Sequence, residues 1–149
     1  MPLNNIQSVG ELPDSMEPDE LLPIFGQILD WSEFDATLSA EEIADAFWEL
    51  ADRQWHTYER LETSVASRVE QWIIRAWPAN SHSAEFVTSV LGIVQRLGLC
   101  QALTMIKDSS DGRLDPEINL RVQRALNEFG DSVDDPWKSL RGKDSDSST

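Results

Sequence analysis

Apolar side chains return three and four positions apart along most of the chain, the spacing of one helix face. Leu21, Leu22, Phe25, Ile28 and Leu29 predict a first, short helix with Asp19 as its N-cap. Pro23 is tolerable there because the opening turn needs no amide donor. Residues 31–38 read as a connection. The next start, Ser39-Ala40-Glu41-Glu42, has the form of a capping box, in which the serine oxygen and the glutamate side chain each satisfy an unpaired backbone N–H. Behind it Ile43, Phe47, Leu50, Ala51, Tyr58 and Leu61 keep one apolar face for about five turns.

A third helix over residues 64–77 turns Val65, Val69, Trp72, Ile73 and Ala76 inward, with Pro78 as its stop. The fourth begins near Ser83, buries Phe86, Val87, Val90, Leu91, Val94 and Leu97, and closes on Gly98, where a left-handed residue lets the chain turn. A fifth, over residues 99–107, carries Leu99, Leu103 and Ile106. After the loop DSSDGRL, Asp115-Pro116-Glu117 supplies an N-cap, a proline at the first helical position and an acid in the first turn. Ile118, Val122, Ala125, Leu126 and Phe129 carry this sixth helix to Gly130. No alternating stretch of strand length appears, so the pattern predicts an all-α fold, an irregular array of about six helices. Residues 1–18, with Pro2, Pro13 and Pro18, read as a flexible arm, residues 19–130 as a single helical domain, and residues 131–149 as a polar tail expected to be disordered apart from a docking of Trp137.

The sixth helix carries a more specific pattern. "DPEINLRVQRALNEFGD", residues 115–131, resembles the second helix of a HEAT-type repeat: an Asp-Pro opening, an inward Val122 beside Arg121, a small Ala125, then Leu126 and a closing Gly130. "ALTMIKDSSDG" would be the first helix and turn of that unit, and "FVTSVLGIVQRLG" the second helix of the unit before. The two units do not align cleanly, which fits a short, irregular, HEAT-like array in the C-terminal half better than a regular solenoid.

Charge changes the picture most in the first third. The net charge is −15, from 27 acids and 12 bases, yet residues 1–52 hold 13 of the acids and no Lys or Arg. On a helical wheel starting at Glu41, the residues Glu41, Glu42, Asp45, Glu49, Asp52 and Glu59 fall within roughly 0 to 100°, opposite the apolar face. Like-charge neighbours at i,i+3 and i,i+4 each cost about 0.2–0.5 kcal/mol. The helix dipole accounts for Glu41 and Glu42; Asp45, Glu49 and Asp52 are left without a local reason. Trp48 and Trp55 lie at the border of the two faces, where indole beside carboxylate suits a basic partner. A solvated face and edge-lying core tryptophans account for the same pattern, but ordinary solvated helices interleave both signs.

Chemistry of other kinds finds little support. His56 and Glu59 form a His/carboxylate pair at helical spacing but lack a third member. His82 belongs to a helix entry, Cys100 reads as a buried small residue, and DSSDGRLD lacks the ligand spacing of a calcium loop. One thiol and two histidines make no closed zinc site and no internal disulfide, and no Gly-rich phosphate loop is present. No catalytic residue, metal or cofactor is expected, and the chain reads as a non-enzyme. Acidity argues against nucleic acid as a direct ligand and against anionic membranes. No run reaches the roughly 18 apolar residues of a membrane span and no secretory leader is seen, so a reducing cytoplasm is the expected location.

In size, acidity, lack of a catalytic set and irregular helices, the chain resembles the immunity proteins that bacteria keep in the cytoplasm against polymorphic toxins. The resemblance is one of type and implies an inhibitor that occludes a basic, nuclease-like toxin domain. On that reading Asp30, Glu33, Asp35, Glu41, Glu42, Asp45, Glu49 and Asp52 face the cationic partner, with Trp31, Trp48 and Trp55 as anchors. A helical-repeat adaptor without inhibitory activity and a DNA-mimicking inhibitor of a DNA-binding protein remain open alternatives. The oligomeric state is not legible in the pattern.

Overall fold

The computed structural model describes residues 5–109 and 114–129, and every regular element among them is helical. A 3-10 helix, η1 (Ile6–Glu11), precedes α1 (Pro18–Phe34), α2 (Ala40–Trp55), α3 (Thr63–Asn80), α4 (Ala84–Leu97), α5 (Cys100–Ser109) and α6 (Pro116–Phe129). The fold is all-α. Consecutive helices pair as α1–α2, α3–α4 and α5–α6, and the pairs stack so that α3 touches α1 and α5 while α4 touches α2 and α6. Two layers result, one of odd-numbered helices and one of even-numbered helices. The expected tail over residues 131–149, the docking of Trp137 and the closing Gly130 lie outside the described residues.

Local capping sets several boundaries. Ser39 Oγ accepts from the Glu42 N–H at 3.1 Å while the Glu42 carboxylate accepts from the Ser39 N–H at 3.1 Å, closing the reciprocal box that orphan donors require. Ser83 Oγ accepts from the Phe86 N–H at 3.2 Å. Gly98 ends α4 with φ 68° and ψ 43°, its N–H reaching Val94 O at 2.9 Å, in the left-handed region that glycine enters without Cβ strain.

Four boundaries differ clearly from the sequence expectation. Helix α1 begins at Pro18 rather than after Asp19, because Pro18 supplies the pre-set first residue and Glu20 accepts from the Glu17 N–H at 2.9 Å. It also runs on through Trp31 to Phe34, absorbing most of the expected connection, with Pro23 exposed on its second turn. Helix α3 passes Pro78 and ends at Asn80, whose side-chain amide donates to Ala76 O at 2.8 Å while the Ser81 N–H donates to Trp77 O at 2.9 Å. Helix α2 stops at Trp55 instead of continuing to Leu61, and Tyr58, expected to point inward, is 65% exposed at φ 60°.

The core follows from these faces. Phe25 of α1 stacks on Phe47 of α2 (ring centroids 6.4 Å apart), Phe47 meets Trp72 of α3 at 5.4 Å, and Trp72 and Trp77 meet Phe86 of α4 at 6.1 and 6.2 Å. This aromatic line ties the first two helix pairs together, and edge or offset contacts of this kind add to the area that each ring buries. Layer contact between α2 and α4 is close at Gly92: a Cβ there would sit 2.5 Å from the Trp48 indole nitrogen.

The N-terminal segment expected to be a flexible arm packs on α2. Ile6 and Val9 are buried against it, and Arg53, only 5% exposed, clasps the segment. Its Nε donates to Pro13 O at 2.8 Å and Nη2 to Leu12 O at 2.9 Å, while Nη1 donates to Glu49 O at 2.9 Å and the Glu49 carboxylate at 2.8 Å.

One further buried ion sits at the far side of the stack. Glu70 of α3 is buried and accepts from the Ala102 N–H at 2.9 Å, so a side chain from one helix caps the N-terminus of another. An anionic cap interacts well with the helix dipole and satisfies an otherwise unpaired donor. Replacing Glu70 by alanine is expected to cost about 1–3 kcal/mol, since it orphans that buried amide, and glutamine should recover about half. Thermal melts of the two variants check this; equal melting of Glu70→Ala and wild type would remove the cap from the list of stabilising contacts.

Candidate functional site

The structure divides the sequence-predicted carboxylates into separate groups. Asp30 and Glu33 project from α1 toward α3, where the Arg68 guanidinium lies 3.6 and 3.3 Å away. Asp35 follows the end of α1 and accepts from the Thr37 hydroxyl at 2.5 Å and the Thr37 N–H at 3.0 Å. These two hydrogen bonds, the hydroxyl first, hold its carboxyl below the ordinary range. Glu62, ahead of α3, is lowered in the same way by the Ser64 hydroxyl and then the Ser64 N–H. Because both values fall on folding, the stabilisation is present above the unfolded carboxylate pKa and fades as pH drops through the lowered folded values.

Within α2 the stripe is not uniform. Glu49 is bound to Arg53, a Glu-to-Arg i,i+4 pair that the sequence shows directly. Asp52 meets the Arg96 guanidinium from α4 at 3.0 Å, with His56 Nδ1 at 3.9 Å. The expectation that Asp45, Glu49 and Asp52 lack nearby compensation is therefore corrected for the last two: one partner lies on the next turn and the other on the neighbouring helix. Glu42 also accepts from the Gln7 side-chain amide at 3.1 Å.

What remains is a groove at the N-terminal end of the even-numbered layer. Glu41, Glu42 and Asp45 come from α2, Glu85, Thr88 and Ser89 from α4, and Arg121 from α6, around an open volume of about 670 Å³. Both helix starts contribute because capping serines, Ser39 and Ser83, begin α2 and α4. Among the described residues, the carboxylates of Glu41, Asp45 and Glu85 make no hydrogen bond or ion pair. Arg121 is held by Glu117 at 3.5 Å and the Thr88 hydroxyl at 3.4 Å. Four carboxylates face one guanidinium, so the groove suits a cationic surface. Glu85 and Arg121 were missed in the sequence because neither shares the stripe of α2.

The tryptophans also separate. Trp31 and Trp48 are half-buried and packed on the core; Trp48 lies over Gly92 with Arg96 5.2 Å from its ring centre. Trp55 is half-buried at the opposite end of α2 from the groove, edge-on to the His56 ring at 5.0 Å. Cys100, expected to be buried, is exposed, because the first residue of α5 faces outward while Ala102, Leu103 and Ile106 take the core positions.

Among the described residues no cluster of three His, Cys, Asp or Glu side chains could hold a metal ion, and no helix is long and apolar enough to cross a membrane. Against protein-family models, curated proteins and solved structures, the chain shows no match.

Proposed function

We propose that this protein binds a basic protein partner through the even-layer groove and neutralises it, as a cytoplasmic immunity protein does by occluding a nuclease-like toxin site. The observation that supports this reading is the groove itself, where Glu41, Glu42, Asp45 and Glu85 from two helices converge opposite the single Arg121. A cleft lined by one sign of charge attracts the opposite sign at long range and fixes its register at contact. The pairing of Glu49 and Asp52 with Arg53 and Arg96 shortens the free acidic row and favours a protein surface over the long anionic track of a DNA mimic.

A second reading, a HEAT-like adaptor that holds partners without inhibiting them, is favoured by the two-layer stacking of helix pairs, since such arrays present one layer as a binding surface. The same groove serves both readings, and inhibition separates them.

Reversing Glu41, Asp45 and Glu85 together to lysine should leave the melting temperature within a few degrees and weaken capture of the native partner about a hundredfold. The fold survives because these carboxylates make no hydrogen bond or ion pair among the described residues, and a Lys–Lys pair of about equal cost replaces the Glu41–Asp45 like-charge pair. Capture from the native cell at 0.15 M salt with wild type and triple variant, followed by assay of the captured protein's activity, makes the test. Equal capture by the two proteins would reduce the groove to a solvated surface.

A further inference from the structure

The turn between α2 and α3 carries two features that folding alone does not favour. Tyr58 sits at φ 60°, a region that bulky L-residues avoid and that glycine or asparagine occupies without penalty at helix ends. Its ring gains little in return, since the residue is 65% exposed. The second feature is Gln54, which is 2% exposed and whose Oε1 is buried without a hydrogen-bond partner.

The same Gln54 fixes the turn. Its amide donates to Glu59 O at 2.8 Å and to the Thr57 hydroxyl at 3.4 Å. Thr57 Oγ1 donates to Gln54 O at 2.7 Å and accepts from the Glu59 N–H at 3.1 Å, and the Tyr58 N–H reaches Trp55 O at 3.2 Å. A strained residue persists where its surroundings over-determine it, and such residues concentrate at functional positions. Here a buried amide and a threonine hydroxyl hold an aromatic ring out into solvent.

We infer that Tyr58 is the centre of a second contact surface for an arginine-bearing protein partner, at the end of α2 opposite the acidic groove. Guanidinium groups stack on tyrosine and tryptophan faces. The adjoining segment Glu59-Arg60-Leu61-Glu62 carries a net charge of −1, with both carboxylates exposed, so the rim complements that cation. Helix α2 has 16 residues, which places the two surfaces about 24 Å apart at 1.5 Å per residue, within the span of one protein interface. The inference rests on the basic-partner reading for its occupant and on the turn alone for its position.

Fluorescein-labelled hexa-arginine, titrated at 0.05 M salt into wild type, Tyr58→Gly, Tyr58→Phe and the groove triple variant, tests it. Tyr58→Gly should bind the peptide about tenfold more weakly while melting at or above the wild-type temperature, because the strain is relieved; Tyr58→Phe should bind within twofold of wild type. A lower melting temperature for Tyr58→Gly, or unchanged peptide affinity, would make Tyr58 a structural or idle residue and overturn the inference. If the triple variant loses the peptide while Tyr58→Gly keeps it, the groove stands and this surface falls. The reverse pattern keeps this surface and removes the groove, and absence of wild-type binding removes both.

Discussion

Arg53→Ala is expected to destabilise the protein by about 3 kcal/mol, the loss typical of a buried charge network, and to lower its melting temperature by about 10 °C. The guanidinium donates four hydrogen bonds, to two carbonyls of the N-terminal segment, one carbonyl of its own helix and the Glu49 carboxylate. Removing it leaves the Leu12 and Pro13 carbonyls without their donors and Glu49 without its cation. Glu49 is about one-third exposed, so solvent offsets part of its loss and the expected cost stays below that of a fully buried pair. Lysine restores the charge but lacks the fork that serves several acceptors at once, so Arg53→Lys should fall between alanine and wild type. Limited proteolysis ahead of Pro18 should accelerate in step with the melting shift. A melting temperature for Arg53→Ala within 2 °C of wild type would contradict the clasp.

Trp48→Ala should cost about 2–3 kcal/mol, less than the full burial value for a tryptophan because the residue is half-buried. Its indole fills the space above Gly92 and supports the Arg96 guanidinium that reaches Asp52. A complementary change, Gly92→Ala, forces a methyl group to within 2.5 Å of the same ring and should cost about 1–3 kcal/mol through overpacking. Denaturant unfolding of both variants, with partner capture alongside, ranks packing against recognition. Loss of capture without loss of stability would return Trp48 to the interface as an anchor.

The parts of the fold legible in the sequence are those set by chemistry a few residues wide. Ser39 with Glu42, Ser83, Gly98 and Pro116 each mark a helix end through a local hydrogen bond or a dihedral preference, and each marks an end in the structure. Pro23 and Pro78 were harder to place, since a missing amide donor ends a helix only where the surrounding helix cannot be satisfied otherwise. Glu49–Arg53 stands in the sequence at i,i+4 spacing, and the reading of the acidic stripe passed over it. Its burial has no local signal, because that depends on where residues 12 and 13 fold back.

For the candidate site, the stripe of α2 could be read on a wheel, but which of its acids stay free could not. Asp52 is compensated by Arg96 from 44 positions away, and Asp30 and Glu33 by Arg68 on another helix. Helix packing decides such pairings, whereas the wheel records a single helix. Glu85 joined the groove for the same reason: it belongs to a different helix, and only stacking of α4 on α2 places it beside Asp45.

The clasp also orders events in time. The segment that Arg53 holds is synthesised before its donor, which lies 40 residues farther along the chain, so a ribosome must complete α1 and almost all of α2 before that turn has anywhere to sit. Residues 6–13 are thus seated after the helices that follow them, closing a long loop against α2.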